Sequence, residues 1–537
     1  MESMDKRTLI AILLTMAVLI GYQFLVSGQK PQPEPQKAGT KAGPEQSEAE
    51  KAKKEVPAAA PPVAATPFEE SAEAKDIKVD TDLYTVVLTT RGGTVKGFTL
   101  KKYRDHQGNG VSLLKAQGLF PPLGLGTTTD DFTVAMANFS TAGRDLTLKD
   151  GQTGSLTFEF ASPQFSAKRT YTFYGDRYKI DLKDEVAGVP DYAITLGSDF
   201  GIYEAKDSSA QHIGPVVLKD TERIDIDPKK LSEPKIFKEG LRWVAQEDKY
   251  FFASIVPAGQ VEEARASKLR DSAFVALRVK SGVNNFIVYA GPKDYDRLRE
   301  LNVGLEQIID FGLFSIIARP LFWVLKFFYR FLGNYGWAIV LLTIIVRIPF
   351  IPIINKGQKS MKKLQELQPR LAELREKYKK DPQKMQQETM QMYKKYKVNP
   401  LGGCLPMLLQ IPVFFALYKV LMVAIELRGA PFMLWITDLS GPDTLFGHIP
   451  SWFPMIGGFA VGPLPLAMGI TMVIQQKMTP SSLDPAQNKM MMFMPIVFTF
   501  LFLNFASGLV LYWLVNNLLS IAQQFQTNRK LARQQQS

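Results

Sequence analysis

The sequence predicts a polytopic α-helical membrane protein of six spans, carrying an all-β domain outside the membrane and a helical hairpin on its cytoplasmic side. Three observations carry that reading. Apolar runs sit at the N-terminus and crowd the C-terminal half, a long turn-rich segment of β character separates them, and the polar connections alternate in charge. Over 537 residues, 46% hydrophobic and 22% charged side chains are too polar for membrane helices alone, so the apolar residues are segregated rather than spread. The formal charge of +12 admits a nucleic acid or a membrane surface as partner, and its location decides. The excess lies beside the spans, which favours the bilayer and gives no reason to expect DNA.

The elements follow in chain order. Residues 1–8 include Lys6 and Arg7 and are expected in the cytoplasm. Residues 9–26 are uncharged and apolar; at 1.5 Å per residue they reach about 27 Å, enough for a transmembrane anchor. No small-x-small cleavage pattern follows, so an uncleaved anchor is preferred over a signal peptide. Residues 27–67 are rich in Pro, Ala, Lys, Glu and Gln and cannot bury enough apolar surface to offset chain entropy, which predicts a disordered tether. Residues 68–295 are expected to form the β-sandwich domain. Its strand signals include 82–90, then Arg91-Gly92-Gly93 as a turn, 94–101 with period two, and Ser155–Phe160, Lys168–Tyr174, Tyr178–Leu182 and Phe274–Val279.

The remaining chain reads as the membrane part. Segment 311–331 is long enough to cross, but Arg319, Lys326 and Arg330 share one helical face and a crossing would invert the charge rule downstream. It is expected to lie in the outer interface as an amphipathic helix. Spans are expected at 337–355, 405–425, 452–474, 490–506 and 508–525. Residues 356–397 hold thirteen Lys/Arg against five acids, so 356–398 is cytoplasmic; 426–450 holds one base and three acids and lies outside. The connection 475–489 and the tail 526–537 return to the cytoplasm. Within 356–398, Met361, Leu364, Leu367, Leu371, Leu374 and Tyr378 form a narrow helical stripe. Asp381-Pro382 ends it, and Met385, Met392 and Tyr396 mark a second helix.

Arg347 is the residue that points to function. It lies nine positions before Lys356, about 13 Å along a helix, and a charge at that depth costs about 2.5–3.5 kcal/mol on the lenient scale. None of the six apolar runs contains an Asp or Glu, so no acid within the spans is available to neutralise it. Thr343 lies one turn earlier on the same face. Gln410, Gln475, Gln476, Asn504, Asn516 and Asn517 are polar groups at membrane depth that taken singly read as ties between helices and taken together with Arg347 would line a wet groove. One cysteine and three histidines leave no disulfide framework, Cys metal cluster or His-based site. With no phosphate loop either, neither an enzyme nor a cofactor is expected.

The strings Val398–Pro406, Gln410–Tyr418, Ala430–Ser440, Gln476–Pro480 and Ser507–Trp513 resemble the YidC family of membrane protein insertases over residues 310–530. The anchor and β domain look like its Gram-negative form. The resemblance implies a periplasmic β-supersandwich, a five-helix insertase core, and a groove open to cytoplasm and lipid in which Arg347 is the family's arginine. It further implies that Gln476 and the aromatic pair Tyr512-Trp513, where many relatives carry two tyrosines, lie along the substrate path, and that the hairpin is mobile and receives substrate. The function implied is insertion, folding and assisted assembly of inner-membrane proteins, alone or beside the Sec translocon, with nascent chains, ribosome and lipid bilayer as partners. A solute transporter would instead show internal repeats and coupling carboxylates in its spans. A tethered sugar-binding or epimerising enzyme, which the β-sandwich also allows, is disfavoured by the sparse histidines.

Overall fold

A computed structural model describes residues 74–105, 107–114, 120–203, 212–270, 272–396, 398, 405–453, 457–478 and 485–536. The expected cytoplasmic N-terminus, anchor and tether (1–67) lie outside the described residues, as do His106 and Cys404.

Among the described residues the β domain has sixteen strands: β1 Asp76–Asp80, β2 Tyr84–Thr89, β3 Thr94–Arg104, β4 Gly110–Ser112, β5 Leu125–Gly126, β6 Leu146–Thr147, β7 Thr153–Ala161, β8 Ser166–Tyr174, β9 Lys179–Thr195, β10 Gly214–Lys219, β11 Glu222–Asp225, β12 Lys235–Phe237, β13 Leu241–Glu247, β14 Phe251–Pro257, β15 Glu263–Leu269 and β16 Ser272–Pro292. A five-stranded sheet runs β4-β3-β2-β1-β6, and the main path of an eleven-stranded sheet runs β11-β10-β13-β14-β16-β9-β8-β7. Each segment with period-two patterning is a strand, because alternate residues of a pleated strand face opposite sides and one side is buried. In β8 every second residue from Ala167 to Phe173 is buried. The long strands β9 and β16 pair from Ala276↔Thr195 to Tyr289↔Lys179, shifting register between Lys280 and Gly282. Between the sheets lies an aromatic core in which Tyr84 stacks on Phe98 at 4.7 Å and Phe252 on Tyr289 at 4.9 Å. Arg169 and Asp184 sit within it as a fully buried ion pair, Nε to Oδ1 at 2.9 Å. A second guanidinium nitrogen of Arg169 donates to the Leu123 carbonyl.

The helical part comprises α1 Tyr295–Glu300, α2 Ser315–Leu332, α3 Tyr335–Arg347, α4 Ile351–Glu366, α5 Gln368–Lys377, α6 Pro382–Lys395, α7 Leu405–Val423, α8 Pro463–Met478, α9 Pro485–Phe502 and α10 Ser507–Gln536. Among the described residues one continuous helical stretch, Tyr335–Glu366, is long and apolar enough by itself to cross a membrane. Helix α2 starts later than the apolar run that predicts it and has three faces. Ala318, Leu321, Phe322 and Leu325 are buried, Arg319 and Arg330 are exposed, and Ile316, Trp323, Phe327 and Phe331 form an exposed apolar stripe. Gly333 ends it in the left-handed region (φ 61°) and Asn334 caps α3 through the Trp337 N–H, so the two helices meet across two residues.

Several boundaries differ from the sequence reading. The expected span 337–355 and hairpin 356–398 share a helix: Tyr335–Glu366 runs on, with only a 3₁₀ turn at Ile348–Phe350 beside Pro349, and the charge change marks no helix end. The first hairpin helix instead breaks at Leu367, because Pro369 enters the first turn of α5 and brings no N–H. Asp381 caps α6 through the Lys384 N–H, and Leu364, Leu367, Leu371 and Val398 close the hairpin's own small core. The apolar run 452–474 becomes helical only at Pro463. The run 490–506 is helical only to Phe502, in a helix that starts at Pro485, and α10 carries 508–525 and the described part of the expected tail without interruption.

The β domain and helices are fastened at α2. Lys326 Nζ meets Asp296 Oδ2 at 2.6 Å and Glu426 Oε1 at 3.1 Å. The Arg428 guanidinium lies over the rings of Phe251, Tyr203 and Tyr250 at 5.4, 5.9 and 6.0 Å and donates to the Arg104 carbonyl. Removing one partner of the buried pair, as in Asp184→Ala, should cost the β domain about 3–5 kcal/mol. Amide exchange of β8 and β9 in the intact protein would measure it as faster exchange than wild type, and a double change of Arg169 and Asp184 to apolar residues should recover much of the protection.

Candidate functional site

The site is built where α3 and α4 face α10. Arg347 ends α3 and is only 8% exposed. Its Nη1 donates to Asn516 Oδ1 at 2.6 Å and to the Asn516 carbonyl at 3.3 Å, and Nη2 donates to Gln523 Oε1 at 3.0 Å. Gln523 is itself held by its Nε2 donating to Asn355 Oδ1 at 2.7 Å. These three bonds leave two of the five guanidinium donors without a described protein acceptor. Among the described residues no carboxylate pairs with Arg347. The amides orient the guanidinium and satisfy part of it, but they cancel none of its charge.

The helices that deliver these groups do so by period. On α10, Tyr512, Asn516 and Gln523 fall four and seven residues apart, so they share one face. Ser520 and Thr527 continue it, each hydroxyl bonding back to the carbonyl four residues earlier. On the facing side, Thr343, Arg347 and Asn355 are likewise four and eight apart.

The sequence-predicted residues fall into separate places. Thr343 is buried and donates to the Ile339 carbonyl at 2.7 Å, so its hydroxyl serves its own helix. Tyr512 is 2% exposed and accepts from Gln410 Nε2 at 2.8 Å, a link from α7 to α10 one turn from Asn516. Trp513 points elsewhere: its ring packs edge-on against Phe414 at 4.9 Å and lies 5.1 Å from Phe502. In this conformation Tyr512 is covered and Trp513 half-buried, so the pair forms no bare surface towards lipid. Gln476 lies in the last turn of α8, half-buried, and no described hydrogen bond joins it to the Arg347 cluster. Asn517 bonds Thr471 Oγ1 at 3.2 Å and Asn504 accepts from the Ala460 N–H, contacts that fasten the fold rather than line the site.

Sequence reasoning missed Gln523 and Asn355, whose signal was the polar spacing along α10 and the eight-residue step from Arg347. It also missed Lys419, a second cation within an apolar run, which is buried in α7 and pairs with Asp310 Oδ2 at 3.2 Å. Burial alone would raise the Asp310 carboxyl, but Lys419, Arg223 and the Gly312 N–H outweigh it and hold it below the ordinary carboxylate value. Lys419 thus has its counter-ion, and Arg347 has none among the described residues.

The known proteins that this chain resembles bear on that arrangement. The YidC periplasmic domain model matches residues 76–324 and the 60Kd inner membrane protein model residues 327–535. The membrane protein insertase YidC of Pelobacter propionicus is 41% identical over 554 aligned positions, covering 98% of this chain and 99% of the relative. That of Citrifermentans bemidjiense is 40% identical, covering 98% and 100%. The chain belongs to the YidC family of membrane protein insertases. An active YidC insertase crystal structure with the first transmembrane domain resolved aligns with 86% of the chain and 94% of its own at 19% identity and a TM-score of 0.38. Like its YidC relatives, this is an inner-membrane protein, with a β-rich periplasmic domain of two sheets followed by a helical region.

Asn516→Leu or Gln523→Leu should strip Arg347 of acceptors and lower stability by about 1–3 kcal/mol. Thermal unfolding in detergent would register the loss, and adding Arg347→Met to either variant should return most of it. Asp310→Asn should lower the melting temperature at neutral pH. Because the Asp310 carboxyl titrates lower when folded, its contribution is complete above the unfolded value near 4 and is lost as pH falls through the folded value. The gap between wild type and Asp310→Asn should therefore close on acidification.

Proposed function

We propose that this YidC relative inserts inner-membrane proteins by offering nascent chains the Arg347 charge inside a groove, hydrated from the cytoplasm and open to lipid. The observation that carries the reading is the guanidinium itself: buried at the junction of α3 and α4, oriented by neutral amides and paired with no described carboxylate. A cation in low-dielectric surroundings is a strong attractor for an acidic segment, because Coulomb energy there is screened far less than in water. An acidic extracytoplasmic tail would replace the Asn516 and Gln523 amides as the partner of Arg347. The apolar helix that follows would then pass beside Tyr512 and Trp513 into lipid, gaining about 25 cal/mol per Å² of apolar surface removed from water.

On this reading the chain crosses the membrane six times with both termini in the cytoplasm. The anchor supplies one span, the stretch from α3 into α4, α7, α8, α9 and α10 supply five, and α2 lies in the outer interface on its exposed apolar stripe. The α5–α6 hairpin is cytoplasmic and receives the nascent chain, with the ribosome and the Sec translocon as working partners. Assistance in folding and assembly uses the same lateral opening. Gln410 and Gln476 complete the polar route.

Arg347→Ala should impair insertion of substrates with acidic tails, with the deficit growing as acidic residues are added, while Arg347→Lys retains most activity because charge rather than guanidinium geometry is used. Equal insertion by wild type and Arg347→Ala across a graded tail series, read by protease protection in proteoliposomes, would sink the proposal.

A further inference from the structure

After Asp443 the next charged side chain is Lys477, yet among the described residues between them helix begins only at Pro463, in the element Pro463–Met478. Sixteen residues make a helix of about 24 Å, some 6 Å short of a typical hydrocarbon core of about 30 Å. The residues before it form a β-hairpin. Phe446 N donates to Val461 O and Val461 N to Gly447 O, both at 2.9 Å; Ile449 N donates to Phe459 O and Gly458 N to Ile449 O, both at 2.8 Å. The Ala460 N–H is taken by Asn504 Oδ1 at 3.0 Å. Leu445, Phe446, Trp452 and Phe453 are nevertheless exposed, by 53, 62, 78 and 42%.

We propose that the two arms of this hairpin, 445–453 and 457–462, are a lipid-binding element seated in the glycerol and upper acyl region of the outer leaflet, completing the depth that α8 cannot reach. The inference rests on the reading of α8 as a membrane span. Four features favour phospholipid as the occupant. The arms are continuous with that span and carry no Asp, Glu, Lys or Arg. Part of their backbone is satisfied internally, the N–H groups of Phe446, Ile449, Gly458 and Val461 across the arms and that of Ala460 by Asn504, while the groups left over suit the hydrated glycerol level rather than the bilayer centre. The exposed side chains are the Trp, Phe and Leu that partition to that level, and His448, the only titratable group of the arms, suits the headgroup edge. The acid at the hairpin's base does not arrive bare: Asp443 is buried, accepting from Trp435 Nε1 at 3.0 Å and, as the N-terminal cap of α8, from the Leu464 N–H at 2.9 Å.

The single cysteine makes the test direct. In a Cys404→Ser background, nitroxides are placed at Leu445→Cys, Phe446→Cys and Trp452→Cys. Ile470→Cys on the exposed side of α8 and Lys229→Cys on the β domain serve as references, all in vesicles of phosphatidylethanolamine and phosphatidylglycerol. Collision with oxygen should exceed collision with a water-soluble nickel chelate at 445, 446, 452 and 470, the reverse of position 229, with 470 deepest. Nickel access at 445, 446 and 452 while 470 stays in lipid would overturn the hairpin proposal alone; nickel access at 470 as well would overturn the span reading beneath it. Immobile, dipolar-broadened spectra at 452 would mean that a second copy covers the arms, and would also overturn the proposal.

Discussion

The structure turns on how a buried positive charge is held. Lys419 and Arg347 both sit in apolar helices, and the fold treats them oppositely. Lys419 meets Asp310 and becomes part of the fastening between α7 and the segment leaving the β domain. Among the described residues Arg347 meets amides and a carbonyl and no carboxylate. Neutral acceptors recover hydrogen-bond energy but leave the desolvation cost of the charge largely standing, whereas a counter-ion offsets it. A protein that pairs one such cation and, among the described residues, gives the other no carboxylate keeps a local site of high potential.

That site needs a rigid frame, and the frame is gathered at α2. The last strand of the β domain leads into α1, whose Asp296 shares Lys326 with Glu426 of the loop after α7. Two residues beyond Glu426, Arg428 plugs into the aromatic rim of the β domain. Arg223, already paired with Asp225 and Glu247, donates to the Ile308 carbonyl in the connection between α1 and α2. Each contact is small in solvent, but together they tie α2, the segment before it and the 426–428 loop to the β domain. The β domain is thereby fixed relative to α3, the helix that carries Arg347.

How much of this the amino-acid order discloses depends on the range of the interaction. The strands and the Asp381-Pro382 corner of the hairpin are local, written in period-two alternation and in a cap that needs one carboxylate and one proline. Arg347 is legible because charge in an apolar run is costly whatever surrounds it. Its amide partners lie 169 and 176 positions away, and Asp310 lies 109 from Lys419, so side-chain identity alone cannot assign them. The run 452–474 fails for another reason. Hydropathy measures what a segment avoids, not how its backbone bonds, and an uncharged hairpin reads the same as an uncharged helix. The hairpin helix broken at Leu367 was the reverse error, a periodic stripe carried through a proline.

The face shared by Tyr512, Asn516 and Gln523 has a mechanical consequence for the proposed route. These side chains belong to one uninterrupted helix, and that helix also presents Trp513 to Phe414 and Phe502. An acidic segment that takes Arg347 from Asn516 and Gln523 removes the main polar tie between α3 and α10, while Gln410 still ties α7 to Tyr512. Helix α10 is then freer to shift on one side than on the other. A shift there moves Tyr512 from its cover and Trp513 from its aromatic bed together, because a helix transmits displacement along its length. On the proposed route, neutralising the charge and uncovering the aromatic pair would be a single event, which would explain why Tyr512 and Trp513 lie on the same helix as the acceptors of Arg347.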